Sequence, residues 1–195
     1  MNDPTYAIFH LSNAQGFALI DDSPRGMYRP MDLRRVLPVG VHWPATATCS
    51  LSKRKKGTKL ADFFGNIMRA LIVNAKARAV LEAEPHLGWE WYPIPILDQE
   101  KNPFSSDYTW AHLLGSHACV DRERSIFTVD PMHPAEVHTF ERLVLDPEKI
   151  PPEPSLFRLR EQPGLLIIRS DLVAKLKAAG VTGWETWPLD APILL

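Results

Sequence analysis

Three side chains in the run SHACVDRERS could in principle assemble a nucleophile: His117, Cys119 and Asp121. Their alternation points all three to one face if the segment is a strand. A thiolate needs its base about 3 Å away, whereas i and i+2 side chains on one strand stand about 7 Å apart, so the spacing favours packing over catalysis. Metal ligation is the other chemistry open to such residues. His112 and His117 lie five apart, as do His133 and His138, which places neither pair on one helical face, and no CxxC or HExxH pattern accompanies them. They read as structural histidines.

Glu90 and Glu185 each stand beside a tryptophan in matching contexts. Two carboxylates flanking a cleft would suit a carbohydrate-active or other hydrolase, with indoles stacking sugars. Repetition argues instead for a structural device, because active sites tend to break local symmetry. Lys53, Arg54, Lys55, Lys56 and Lys59 form a basic run that could contact phosphate, as a nucleic-acid- or ligand-binding module would. No aromatic residue interleaves it to stack bases and Gly57 interrupts it, so a solvated loop is the preferred reading. Nucleotide-binding and serine-hydrolase fingerprints are missing. The sequence therefore assigns no catalytic, cofactor-binding or metal-ligating residue, and no cofactor.

The elements that would position these residues are organised by an internal repeat. Residues 71–94, LIVNAKARAVLEAEPHLGWEWYPI, align without a gap onto 166–189, LIIRSDLVAKLKAAGVTGWETWPL, at a constant offset of 95. Each copy reads as an apolar strand (Leu71–Val73, Leu165–Ile168), a capping residue (Asn74, Ser170), a helix and a short strand carrying Gly-Trp-Glu. Leu172, Val173, Leu176 and Ala179 make an apolar stripe of helical period, with Gly180 as the left-handed stop and Pro85 ending the first helix. The helices are expected at 75–84 and 171–179. Alternation puts Trp89 and Trp91 on one face and Glu90 on the other, and buries Trp89 and Trp184.

Further strands are expected at Tyr6–His10 and Phe17–Ile20, in the apolar segment 108–121, at Ile126–Val129, Leu143–Leu145 and Leu156–Leu159. The fold class is α+β, a mixed or antiparallel sheet with a few short helices and a pseudo-symmetric strand–helix–strand pair. Pro147, Pro151, Pro152 and Pro154 mark a candidate subdomain boundary. Residues 1–59 form an N-terminal part packed on 60–195, which holds the units 71–94 and 166–189.

The whole chain, at 195 residues with 45% apolar content, can bury a sizeable core. Its net charge of −1 argues against wrapping in polyanion. The charge is uneven: residues 1–59 carry nine Lys/Arg against four Asp/Glu, and the remainder 13 against 19. Two cysteines are too few to staple the fold, no apolar run is long enough to span a membrane, and the start lacks signal-peptide character. A cytoplasmic protein is expected. Eighteen prolines without period imply short elements broken by stiff turns.

The run LFRLREQPGLLIIRSDLVAKLKAAGVTGWETWPL (156–189) resembles the C-terminal signature of the myxobacterial-type immunity proteins of bacterial polymorphic toxin systems, formerly a domain of unknown function. DFFGNIMRALIVNAKARAVLEAEPHLGWEWYPIPILD (62–98) is similar to that family's earlier unit, and ACVDRERSIF (118–127) to its aspartate-x-x-x-serine segment, here Asp121 and Ser125. The resemblance covers roughly residues 60–190; Asn74 stands where a serine cap is usual. It implies a non-catalytic immunity protein that binds and neutralises a cognate secreted toxin in the cytoplasm. From the composition and the solvated basic run, neither a membrane nor a nucleic acid is expected as partner. A nuclease-type toxin, with its basic site, would suit the acidic balance of residues 60–195.

Overall fold

A computed structural model describes residues 5–27, 38–55, 57–84, 88–129, 131 and 135–190. Among them the strands are β1 (Tyr6–Leu11), β2 (Leu19–Ile20), β3 (Cys49–Ser50), β4 (Gly65–Asn66), β5 (Leu71–Asn74), β6 (Trp89–Pro93), β7 (Ile96–Leu97) and β8 (Pro103–Ser105). They continue with β9 (Tyr108–Leu113), β10 (Ser116–His117), β11 (Ile126–Val129), β12 (Val137–Arg142), β13 (Leu156–Leu159), β14 (Gln162–Arg169) and β15 (Trp184–Trp187). The helices are α1 (Ala75–Glu82) and α2 (Ser170–Ala178). The class is α+β with mixed and antiparallel pairing.

Two sheets dominate. One has the order β10-β13-β14-β1-β15, the other β5-β9-β6. Alternation along their strands divides the apolar residues between three cores. Phe9, Leu11, Leu166 and Ile168 of the first sheet face Leu71, Val73, Ala111 and Leu113 of the second across a central core. Ala77 and Leu81 of α1 and Leu172 and Leu176 of α2, each pair at i, i+4, complete that core. The outer face of the three-stranded sheet, with Ile72, Tyr108 and Trp110, is covered by N-terminal residues including Ile20, Cys49 and Leu51. The outer face of the five-stranded sheet, with Ile8, Leu165 and Ile167, is covered by Val137, Phe140 and Leu143.

The repeated segments sit in one pairing register. Leu71–Ala111–Trp91 runs across the three-stranded sheet as Leu166–Phe9–Thr186 runs across the other, and Ile72–Trp110–Tyr92 as Ile167–Ile8–Trp187. The strands paired between the two halves of each unit, β9 and β1, read YTWAHL and YAIFHL. Each is antiparallel to both neighbours. The pairing is crossed in sequence: β1 lies N-terminal to the first unit yet joins the second, while β9 lies between the units and joins the first.

Several local expectations need correction. Asn74 caps α1 as expected, its side chain accepting from the Ala77 N–H at 3.1 Å. Ser170 does not cap α2; it is the first helical residue, and Arg169 occupies the capping position without a side-chain cap bond. Strand β14 runs straight into the helix, the Ser170 N–H donating to Thr5 O and the Arg169 guanidinium clamping Asp171 at 2.8 and 2.9 Å. Gly180 behaves as expected: at φ +62 it follows Ala179, with Gly180 N–H to Lys177 O and Val181 N–H to Leu176 O. Pro85 lies outside the described residues; α1 ends at Glu82 with Ala83 as its cap.

Leu143–Leu145 forms no strand. Its amides reach separate partners, Leu143 N–H to Leu189 O and Val144 N–H to the Ser125 hydroxyl, leaving a single bridge from Leu145 to Val120. The strand lies earlier, at β12. Segment 108–121 is not one strand either. The chain leaves the three-stranded sheet after Leu113, and β10 joins the other sheet parallel to β13. Within Phe17–Ile20 only β2 is regular, with Phe17 in an isolated bridge.

Trp89 and Trp184 are half-buried rather than enclosed, packing on the margin of the central core. The Trp89 and Trp91 rings stack at 5.0 Å, as a shared face requires, and Trp184 lies parallel to Phe9 at 6.0 Å. Full burial would make Trp→Ala cost about 3–5 kcal/mol. At these marginal positions Trp184→Ala is expected to cost about 2–3 kcal/mol in urea denaturation, and a loss under about 0.5 kcal/mol would contradict the packing.

Candidate functional site

The residues singled out for chemistry are dispersed. His117 lies edge-on to Phe157 at 5.2 Å, and burial holds its pKa below the ordinary histidine value, helped by Arg160. Cys119 is fully buried and is pushed up to about 12, first by burial and then by Glu161 and Asp146. Cys49 is likewise buried and pushed up to about 12. A buried thiol of that pKa is no nucleophile at neutral pH. Neither cysteine should therefore be alkylated by iodoacetamide at about pH 8 in the native protein, whereas both should be in urea; mass spectrometry reads the outcome.

Asp121 and Ser125 build a turn. The Asp121 carboxylate accepts from the Glu123 and Arg124 N–H groups at 3.1 and 3.0 Å. The Ser125 hydroxyl donates to Val144 O and accepts from Val144 N–H. His112 is fully buried on β9, His138 is exposed on β12, and His133 lies outside the described residues. No group of three or more His, Cys, Asp or Glu side chains able to hold a metal occurs among the described residues.

Glu90 and Glu185 occupy edge strands of different sheets. Glu90 accepts from the Val39 N–H at 2.8 Å while the neighbouring Tyr92 hydroxyl accepts from Gly40 N–H at 2.6 Å. It thereby ties the 39–43 segment onto β6, where Trp43 stacks on Tyr92 at 4.6 Å. Glu185 is exposed and stands 3.4 Å from His10 Nδ1. In both sheets the glutamate is the cross-strand neighbour of a histidine, His112 or His10.

The basic run is exposed, as expected of a solvated loop, but it is anchored. Lys53, Arg54, Lys55 and Lys59 all face solvent; Lys56 lies outside the described residues. Behind them the buried Ser52 hydroxyl accepts from the Arg54 and Lys55 N–H groups, each at 3.1 Å, and donates to Asp21 at 2.6 Å. Gly57 abuts the Phe17 backbone so closely that a Cβ there would sit 1.8 Å from Phe17 O. Lys59 N–H donates to Gly16 O, Ala18 N–H to Lys59 O, and the Lys59 ammonium lies 4.8 Å over the Phe17 ring.

This loop borders two of three neighbouring hollows that share lining residues. One, of about 280 Å³, is lined by His10, Asn13, Ile67, Arg69 and Trp187 above a floor that includes Phe9 and Leu166. Its wall is set by a ring pair, His10 on Trp187, at 4.0 Å and 15°. Burial lowers the His10 pKa below the ordinary histidine value, outweighing the opposite pull of Glu185. A second hollow, of about 490 Å³, shares Asn13 and adds Phe17 and Lys55. The third, of about 420 Å³, shares Ile67 with the first and Lys55 with the second, and adds Arg54 and Asp21. Sequence reasoning missed this site because its parts lie far apart in the chain, at residues 8–21, 52–57, 66–69, 164–166 and 187.

Comparison with known families returns a match to a family described as an immunity protein family (Imm11), over residues 9–190. The match reaches well N-terminal of residue 60, where the sequence resemblance stopped, consistent with β1 being the central partner of β14 and β15. A comparison with curated proteins returns no match. No helix among the described residues is long and apolar enough to cross a membrane. With nearly the whole chain matched, the protein belongs to the Imm11 immunity protein family.

Proposed function

We propose that this protein neutralises a cognate toxin of a polymorphic toxin system by binding it in the cytoplasm, without catalysis, and so protects its producer during bacterial competition. The observation that carries the reading is the family match over residues 9–190. The residue chemistry agrees with it. The two thiols are buried and protonated, the two glutamates sit in different sheets, and the Asp121–Ser125 segment serves a turn. An immunity protein acts by occupying its toxin, so it needs a preformed exposed surface more than a reactive group.

Co-expression tests the proposal. The toxin region encoded by the adjacent open reading frame should arrest growth when expressed alone. Co-expression with this protein should restore growth and yield a complex that co-purifies. Arrest that persists, with no complex, overturns the reading.

A further inference from the structure

We propose that the face formed by the three neighbouring hollows is the toxin-binding surface, and that it recognises an acidic surface on the toxin. This inference rests on the immunity reading and specifies its contact. Arg54, Lys55 and Arg69 line the hollows, and Lys59 stands beside them over Phe17. Asp21 is the one carboxylate among the described lining residues, and it already accepts the Ser52 hydroxyl. The lining is therefore cationic in a chain whose net charge is −1. Charge complementarity then asks for carboxylates on the partner, with fast, salt-sensitive association. This reverses the partner inferred from the acidic balance of residues 60–195: the placement of charge on the surface, not the segment total, decides.

Two features make the face fit for protein recognition. Ile67, 59% exposed, is the most exposed of the large apolar side chains among the described residues, and it lines two of the hollows. An apolar anchor ringed by cations and aromatic groups has the composition of an interface centre. The backbone of the surface is also held by contacts from within the fold. Ser52 holds the amides of Arg54 and Lys55, Gly57 lies on the Phe17 backbone, and Trp187 is braced by His10. These contacts reduce the backbone ordering that would oppose association.

Arg69 adds an independent mark. Its φ of +56 places a non-glycine residue in the left-handed region, within the turn where Asn66 bonds Phe64 O, Ala70 O and Ala70 N–H. A glycine would hold this turn more easily, and such strain gathers at binding sites. A nucleic acid is the less fitting occupant, since one face of the Trp187 ring is taken by His10 and one of Phe17 by Lys59. The larger hollow beside Tyr6, Arg142 and Ile150 has mainly apolar lining and no comparable signature of its occupant.

Calorimetric titration of the full chain against the toxin region of the adjacent open reading frame tests this. Arg54→Glu/Lys55→Glu should weaken binding about 100-fold, and Ile67→Ala about tenfold. Arg69→Gly, which relieves the left-handed backbone, should keep the fold while weakening binding about tenfold, a split that a merely structural role would not give. Lys177→Glu, exposed on α2, should bind as wild type, and thermal melts check that each variant folds. If wild type binds and all three face variants bind within about twofold of it, the face is wrong and the immunity reading stands. If wild type neither binds nor rescues growth, both fall. Retention of a single-stranded oligonucleotide at about 150 mM salt that is lost in Arg54→Glu/Lys55→Glu, with toxin binding unchanged, would assign the face to nucleic acid and overturn the proposal.

Discussion

Replacing Asp62 by Ala is expected to lower stability by about 3 kcal/mol at pH 7 and to loosen both helices' attachment. Its carboxylate accepts the Thr182 N–H at 2.7 Å, the Thr182 hydroxyl at 2.8 Å, the Asn74 amide at 2.7 Å and the Lys76 ammonium at 2.8 Å. It thus joins the start of α1 to the loop between α2 and β15. Lys76 is nearly half exposed and can rehydrate, so most of the loss comes from the Thr182 amide and Asn74. Burial alone would raise the Asp62 pKa, but the bonds from Lys76, Asn74 and Thr182 outweigh it and hold it below the ordinary carboxylate value. A folded-state pKa below the unfolded one means the stabilisation is present above about pH 4 and fades as pH falls through the folded value. The gap between wild type and Asp62→Asn should therefore narrow from about pH 7 to about pH 3 in urea melts. A gap that does not change with pH would sink the argument.

How much of this was legible in the sequence depended on whether the information was local. Both helices fall within two residues of their expected bounds, because Leu172 and Leu176 carry the 3.6-residue period themselves and Gly180 carries its own conformation. Leu156–Leu159 and Ile126–Val129 were bounded by turns on each side and are found as expected. Ser170 misled because a serine before a helical stripe resembles a cap, while the position is set by β14 running one residue further. The partners of the repeated units were not legible from a gapless comparison. The strands YAIFHL and YTWAHL lie 102 residues apart, not 95, so they fall outside the repeat's offset, and only the tertiary pairing reveals their common role. The basic run showed its charge but not its anchorage, since Asp21 and Phe17, which hold Ser52 and Gly57, lie in another segment.

Gly183→Ala is expected to cost about 3–5 kcal/mol, whereas Gly180→Ala, three residues away, should cost about 1 kcal/mol. Both glycines have positive φ, +88 and +62. They differ in what a side chain would meet. Around Gly180 there is nothing within 4 Å, so alanine bears only the strain of the left-handed conformation. A Cβ on Gly183 would lie 2.1 Å from Phe63 O and 2.6 Å from the Ala61 Cβ. Neither can yield cheaply: the Phe63 amide donates to Thr182 O, and the Asp62 between them carries the carboxylate that holds Thr182. The Gly183 carbonyl in turn accepts from Ser12 N–H, linking the loop to the chain after β1. The corresponding Gly88 has no such constraint, its nearest neighbour being the Leu114 Cβ at 3.5 Å. Gly88→Ala should therefore stay within about 1 kcal/mol of wild type. The Gly-Trp-Glu signature thus has unequal demands in its two places, and chemical denaturation of the three variants measures them. Equal losses at Gly88 and Gly183 would show that close approach to Phe63 is not what requires the second glycine.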